Sequence, residues 1–438
     1  MTPFREHPLR KSLSDEVHAR PYGLLKAPVR ISHLAALSGE TDPERDRLHV
    51  ALLCRNFNVP EPEAGAKHYS GVLVAADVEE LRFKWERHTE FSSYTFYLNG
   101  EFDHPFDKGA IEQIPADWIT ALPGDVLSAT NLALEPANGA DRKFDELAKL
   151  FADNSVTGSG MRGGEALVWT DFRVHNEGYN RILVRDNGMN LRQAGRLIQR
   201  LLEVGTYRMM AMLAFPIARE VLPKLAIYER TLSDLIGRMD GAKNGDNERD
   251  TLKRLTNLAA EVEALSLDIN YRFTAARAYH ALVNRRIEDL REVRIDDISQ
   301  VRGLQPPGEF VTRRLAPAME TCRSTSERLD TLSRRIGRAS DLLRTRVDVA
   351  LEEQNRDLLE SMDRRARLQL RLQETVEGLS VVAISYYLLG LVSYAAKSAK
   401  AAGLPINAEI TTGIALPIVV ATVWYGMRRI HHKLGKGE

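Results

Sequence analysis

Two long apolar runs near the C-terminus constrain this chain more than any other feature. VEGLSVVAISYYLLGLVSYAA, Val376 to Ala396, has one acid near its start and then about twenty residues without charge, enough to cross a hydrocarbon core of about 30 Å. ITTGIALPIVVATVWYGM, Ile410 to Met427, is about eighteen residues long and just suffices. Both runs are apolar all round, which argues against two half-buried helices of a soluble fold. The linker KSAKAAGLPINAE is short, so the pair reads as a transmembrane hairpin with spans at 376–396 and 410–427. Arg364, Arg365, Arg367 and Arg371 precede the first span and Arg428, Arg429 and Lys433 follow the second, whereas the linker has only Lys397 and Lys400. Basic residues concentrate on the cytoplasmic side, so both termini are expected in the cytoplasm, with 428–438 as a basic tail.

The averages hide this tail. The 438 residues carry 60 Lys+Arg against 60 Asp+Glu, so no global charge points to nucleic acid. With 29 Gly, 2 Cys and 44% hydrophobic residues, collagen-like, disulfide-stapled and wholly disordered classes are excluded. Cys54 and Cys322 match no metal or redox spacing and read as reduced, buried thiols. The N-terminus has charge but no apolar core, so no cleavable signal peptide is expected.

Residues 1–188 read as an α+β cytosolic domain. The runs Ile31–Ser38, His49–Cys54, Ser70–Asp77, Ser92–Leu98, Glu165–Val174 and Asn180–Asp186 are short, rich in β-branched or aromatic residues and bounded by turn signals, so strands are expected there. Val78 to Glu90 fits either a helix or a long strand, and Lys143 to Asn154 fits a short helix.

From about Asn190 the pattern is helical. Leu191 to Met239 is one helical stretch bent near Pro216 and Pro223 and closed by the turn GAKNGDNE (Gly241 to Glu248). A heptad follows, with one seam at Leu252, Ala259, Ser266, Phe273, His280, Ile287, Arg294 and Val301 and the other at Leu255, Val262, Ile269, Ala276, Val283 and Leu290. Gly303 and Pro306-Pro307 are expected to end it. A second helix starts near Phe310, continues through Leu315, Cys322, Leu329, Ile336, Leu343 and Ala350, slips near Leu351, and goes on through Leu358, Met362, Leu372 and Val376 into the first span. Residues 189–375 are thus expected to form a long antiparallel, coiled-coil-like helical stalk. Its helices would be roughly 75 to 100 Å long at the standard helical rise.

Signatures of chemistry are sparse. Gly158, Gly160 and Gly163 spell Gly-x-Gly-x-x-Gly, but a helix precedes and a strand follows, the reverse of a dinucleotide site, so a flexible turn is expected. His7, His18, His33, His49, His68, His88 and His104 crowd the first 105 residues without metal-ligand spacing. The acid pairs Asp296-Asp297 and Glu352-Glu353 are taken as solvated helix faces. No catalytic, cofactor-binding or metal residue is assigned, and no enzymatic activity is expected. On the first span Tyr386, Gly390, Ser393 and Lys397 share one helical face, a surface for helix packing or, less favoured, for lining a pore.

HPLRKSLSDEVHARP (His7 to Pro21), followed by APVRISHLAAL (Ala27 to Leu37), resembles the start of an uncharacterised family of bacterial membrane-anchored proteins, over the whole chain. That resemblance implies an inner-membrane location and no assigned activity. The order of parts, an α+β domain, a long helix entering the first span, a second span and a basic tail, is also similar to the CorA-type magnesium-channel superfamily. In that superfamily a Gly-Met-Asn motif ends the first span; here that place reads GLVSYAAKSAK, and the only Gly-Met-Asn is Gly188, Met189 and Asn190. The first expectation is therefore a non-enzymatic membrane-anchored sensing or scaffolding protein, partnered by the bilayer and by further copies of itself. The second is a divergent CorA-like channel or transporter without the filter.

Overall fold

A computed structural model describes residues 4–11, 13–14, 22–40, 42–73, 80–138, 142–241, 245–293, 303–402, 405 and 407–434. His18, Arg20, the end of the 70–77 run, Arg294, Val301 and Asp296-Asp297 lie outside them. The chain forms two compact units, Met1–Arg238 with Lys253–Ala339, and Met239–Leu252 with Ser340–Glu438.

The first unit is α+β. Eight strands, β1 (Val29–Leu37), β2 (His68–Leu73), β3 (Leu81–Arg87), β4 (Ser92–Asn99), β5 (Asp125–Glu135), β6 (Thr157–Met161), β7 (Ala166–Val174) and β8 (Asn180–Asp186), form one sheet in the order β2-β3-β4-β1-β5-β8-β7-β6. Only β5 and β8 pair in parallel; the other neighbours are antiparallel. The expected strands at 31–38, 92–98, 165–174 and 180–186 are present, the described part of the 70–77 run, residues 70–73, forms the end of β2, and the ambiguous stretch after Val78 holds a strand over Leu81–Arg87.

Two expectations are corrected here, and one strand is added. His49–Cys54 lies in helix α1 (Pro43–Asn56) rather than in a strand: Asp42 accepts from the Arg45 amide as N-cap, Pro43 fills the first turn, and Glu44 and Asp46 favour the positive end of the helix dipole. Strand β5, at the middle of the sheet, is not anticipated by any of the runs above. Gly158 and Gly160 stand inside β6 rather than in a turn, and only Gly163, with φ of 76°, occupies one.

One face of the sheet is dry. Phe83, Trp85, Tyr94 and Phe96 pack under α1, a 3-10 turn at Ala110–Gln113 and the short helix α2 (Ala116–Thr120), with Trp118 edge-on to three of the four rings. Helix α3 (Phe144–Leu150) extends this layer over Leu167, Trp169 and Leu183. Alpha1 is also tied by a buried ion pair: Asp46 accepts from Ser38 and Ser92 at 2.6 Å each and stands 3.1 Å from Arg87 Nε. Removing one partner of such a pair is far costlier than never having built it.

On the opposite face, α4 (Leu191–Met212) lays Ala194, Leu197, Ile198, Leu201 and Leu202 over β1, β5, β8 and β7. A one-residue break at Leu213 leads into α5 (Ala214–Gly241), which holds Pro223 within it, so the expected bend falls three residues before Pro216. Helix α6 (Gly245–Leu290) starts inside the expected turn and stops at Leu290, well before Gly303, with Arg291 at φ of 51°. Its Leu255, Val262, Ile269, Ala276, Val283 and Leu290 are all buried. Helix α7 (Pro307–Ala401) follows, its Gly308 beside Ile287 of α6, while Phe273 and His280 share a cleft with Met319 and Ser326, so the two helices run in opposite directions. Helix α5 joins them through Arg328 and Glu229, 2.8 Å apart.

The described residues between α6 and α7, 291–293 and 303–306, are stitched to the sheet edge. Gly160 and Val293 exchange both backbone hydrogen bonds, the Gly158 amide donates to Gln305 O at 3.0 Å, and Glu292 accepts from Ser159 and from the Gly308 amide at the start of α7. A Cβ on Gly158 would lie 2.7 Å from Trp169 and 2.8 Å from Leu304, so glycine is required by close approach. The Gly-x-Gly run serves packing.

In the second unit, Arg346 of α7 donates to the Met239 carbonyl at 3.1 Å. Two helices, α7 and α8 (Ala408–Leu434), contain stretches long and apolar enough to cross a membrane.

Candidate functional site

Helix α4 covers only part of its face of the sheet. The registers align Ser70, Lys84, Thr95 and His33 in one row across β2, β3, β4 and β1, flanked by a row of His68, Glu86 and Ser93 and a row of Val72, Arg82 and Tyr97. These are the side chains that strand alternation turns away from Phe83, Trp85, Tyr94 and Phe96. Of these, His33, Lys84, Glu86, Ser93, Thr95 and Tyr97 floor a cleft of about 230 Å³, walled by Gln199, Glu203, Thr206 and Tyr207 of α4 and Arg286 of α6. A second cleft of about 300 Å³ shares Lys84 and Tyr97 with it and is bounded by Tyr22, Gly23, His68, Tyr69 and Arg82.

The segment over Tyr22–Leu25 is fixed as the end wall. The Leu25 amide donates to Leu191 O, Arg82 donates to Leu24 O at 2.9 Å, and the Arg196 guanidinium sits over Tyr22. The Gly23 carbonyl lies where a Cβ on Gly195 would stand, 1.8 Å away, so only glycine lets α4 accept this segment.

The polar groups in the cleft are mostly committed to one another. His33 places Nδ1 2.8 Å from Thr95 Oγ1 and Nε2 3.1 Å from Thr206 Oγ1. Burial, aided by the positive charge of Lys84, lowers its pKa to about 4, so it is neutral at physiological pH. Lys84 and Glu86 pair at 3.0 Å, Arg286 pairs with Glu203, and Gln199 donates to Glu203 at 2.9 Å. Burial raises the phenol pKa of Tyr97 beyond its ordinary range.

Of the other histidines, His88 lines the same cleft as His33 and His49 does not. His49 stacks on Trp118 on the opposite face, its pKa lowered to about 4 chiefly by burial, while His88 stacks on Phe91 at the cleft's end. Among the described residues no group of three or more His, Cys, Asp and Glu could hold a metal ion. Strand alternation at Arg82, Lys84, Glu86 and His88 was the available sequence signal for the cleft. Its partners Thr95, Thr206 and Arg286 come from register and tertiary packing.

The face named on the first apolar run is largely outward. Tyr386 is 76% exposed and Lys397 is exposed, with Gly390 and Ser393 half-buried; the least exposed positions there are their neighbours Ser385 and Ala396. The Gly-Met-Asn sequence sits elsewhere, as the start of α4: Gly188 has φ of 131°, and Asn190 is the N-cap, accepting from the Gln193 amide at 2.9 Å.

An eight-stranded sheet with a polar cleft, followed by long helices of which two are apolar enough for a membrane, defines a helix-tailed α+β protein. Residues 5–434 match the family described as Protein of unknown function (DUF3422), and the chain belongs to that family. No curated protein matches the chain.

Proposed function

We propose that the chain is a membrane-anchored protein of the bacterial plasma membrane. Its α+β domain serves sensing or scaffolding without enzymatic activity, and both termini lie in the cytoplasm. The observation that carries this is the exposure of the apolar tail: Leu379, Leu391, Ile414 and Ile418 are each more than 60% exposed, an apolar surface that water does not tolerate at this extent. Lipid is the natural cover, with the two apolar helices as a hairpin and the Arg-rich flanks inside.

A non-catalytic role is supported by the cleft, where both ring nitrogens of His33 are engaged by threonine hydroxyls and the charged groups are paired; a general acid or base needs a nitrogen or oxygen facing substrate. Between the body and the first apolar run, Leu358, Met362, Leu372 and Val376 of α7 are exposed, and further copies of the chain are their fitting partners in a coiled-coil stalk. The CorA-like channel reading rests on the order of elements alone.

Alkaline carbonate extraction tests the anchor. The full-length chain is expected in the membrane pellet and a chain ending before Val376 in the supernatant; release of the full-length chain overturns the proposal.

A further inference from the structure

The two adjoining clefts on the uncovered half of the sheet contain polar atoms that the fold itself leaves unused. Arg82 Nε is buried without a hydrogen-bond partner, its nearest acid, Glu80, standing 4.0 Å away. Gln199 Oε1 is also buried and unpartnered, although the same amide donates to Glu203. Buried polar atoms are satisfied in the great majority of cases, and two orphans lining joined clefts mark places where a bound molecule supplies the missing partners.

Their chemistry defines that molecule. Arg82 and Lys84 stand two residues apart on the same strand face, which separates their Cα atoms by roughly 6 to 7 Å. Their side chains are only 24% and 11% exposed. The acids of the clefts already have cations, Glu86 with Lys84 and Glu203 with Arg286, whereas Arg82 meets only the half-exposed Glu80, at 4.0 Å, and is the least neutralised cation there. Hydroxyls of Ser70, Ser93 and Tyr97 surround the two cations, and neutral His33 adds no charge. A guanidinium with a neighbouring ammonium in a confined, hydroxyl-lined space is the recognition chemistry of a carboxylate or phosphate.

We infer that this cleft binds a small organic anion, its carboxylate or phosphate seated between Arg82 and Lys84 and a donor-bearing remainder reaching Gln199. Tyr22, Gly23 and Leu25 line the cleft that holds Arg82, and Arg286 of α6 lines the adjoining cleft that holds Gln199, so a molecule reaching from Arg82 to Gln199 touches both the N-terminal segment and a long helix.

The test is thermal unfolding of the full-length protein in nanodiscs, titrated with inorganic phosphate, succinate, the neutral succinamide, and chloride at matched ionic strength. A saturable rise in Tm is expected with succinate or phosphate and not with succinamide or chloride; the more effective anion identifies the head group. Arg82→Gln is expected to weaken the response by roughly tenfold to a hundredfold, the worth of one charge-assisted hydrogen bond. The double variant Lys84→Met with Glu86→Gln removes the pair without stranding a charge and is expected to do the same. Should Arg82→Gln fail to fold, Arg82→Lys keeps the charge, loses Nε, and is expected to fall between wild type and the double variant. The inference is overturned if wild type gives no saturable response to either anion, if succinamide matches succinate, or if the folded variants respond like wild type. None of these readings depends on where the chain is anchored.

Discussion

Helix α7 is continuous from Pro307 to Ala401, yet its two halves treat the same kind of residue in opposite ways. Leu315, Cys322, Leu329, Ile336 and Leu343 form a buried seam, whereas Leu358, Met362, Leu368 and Leu372, at comparable spacing, face outward. Helical periodicity specifies that a partner is needed and leaves open which one. The first half finds α5 and α6 within its own chain; the second half, and the apolar runs after it, stay exposed in the single chain, which is the contrast the proposed anchor and stalk would resolve.

Substitutions can break that contrast. The largest effect is expected in the sheet body that serves as its reference: Trp85→Ala empties a fully buried site and is expected to cost about 3–5 kcal/mol in thermal or denaturant unfolding. Leu329→Ala, in the buried half of α7, is expected to cost about 2–5 kcal/mol by the same measurement. In the apolar run, Leu388→Arg is expected to disfavour membrane insertion by about 3 kcal/mol, read as a carbonate-soluble fraction, while leaving the unfolding of the body unchanged.

A pH effect of similar size belongs to the body alone. His33 has a folded pKa of about 4 against an ordinary 6.5, so the unfolded chain takes up a proton that the folded one refuses. Stability is therefore full above pH 6.5 and falls as pH drops toward 4, by an expected total of about 3 kcal/mol. His33→Gln is expected to reduce the slope of that part of the Tm-against-pH curve, His49, likewise lowered to about 4, supplying the remainder; an unchanged slope would assign all of it to other groups. Smallest of all, Leu358→Ala is expected to shift unfolding of the body by less than about 0.5 kcal/mol. Its effect should show instead as a lower oligomer mass in detergent, and an unaltered mass would remove α7 from the self-association surface.

Much of this fold is legible in the sequence, and the exceptions are instructive. Strands with aromatic or β-branched alternation, such as Ser92–Asn99, announce themselves. Strand β5, LSATNLALE after Asp125 and Val126, mixes small and polar residues with its leucines, and α4 packs on it through Leu132 and Leu134. Helix α1 hides behind the apolar run at His49–Cys54, and only Asp42-Pro43 betrays its start. The cleft was half visible: the alternation at Arg82, Lys84 and Glu86 marks a polar face, but that this face is roofed and not washed by solvent follows from α4, α6 and the fit of Gly23 on Gly195.

The stitching of β6 to the segment before α7 has one more consequence. A terminal strand normally presents a row of amides and carbonyls on which a foreign strand can add. Here the Gly158 and Gly160 amides of that row are already donated to Gln305 and Val293, so β6 is closed to such recruitment.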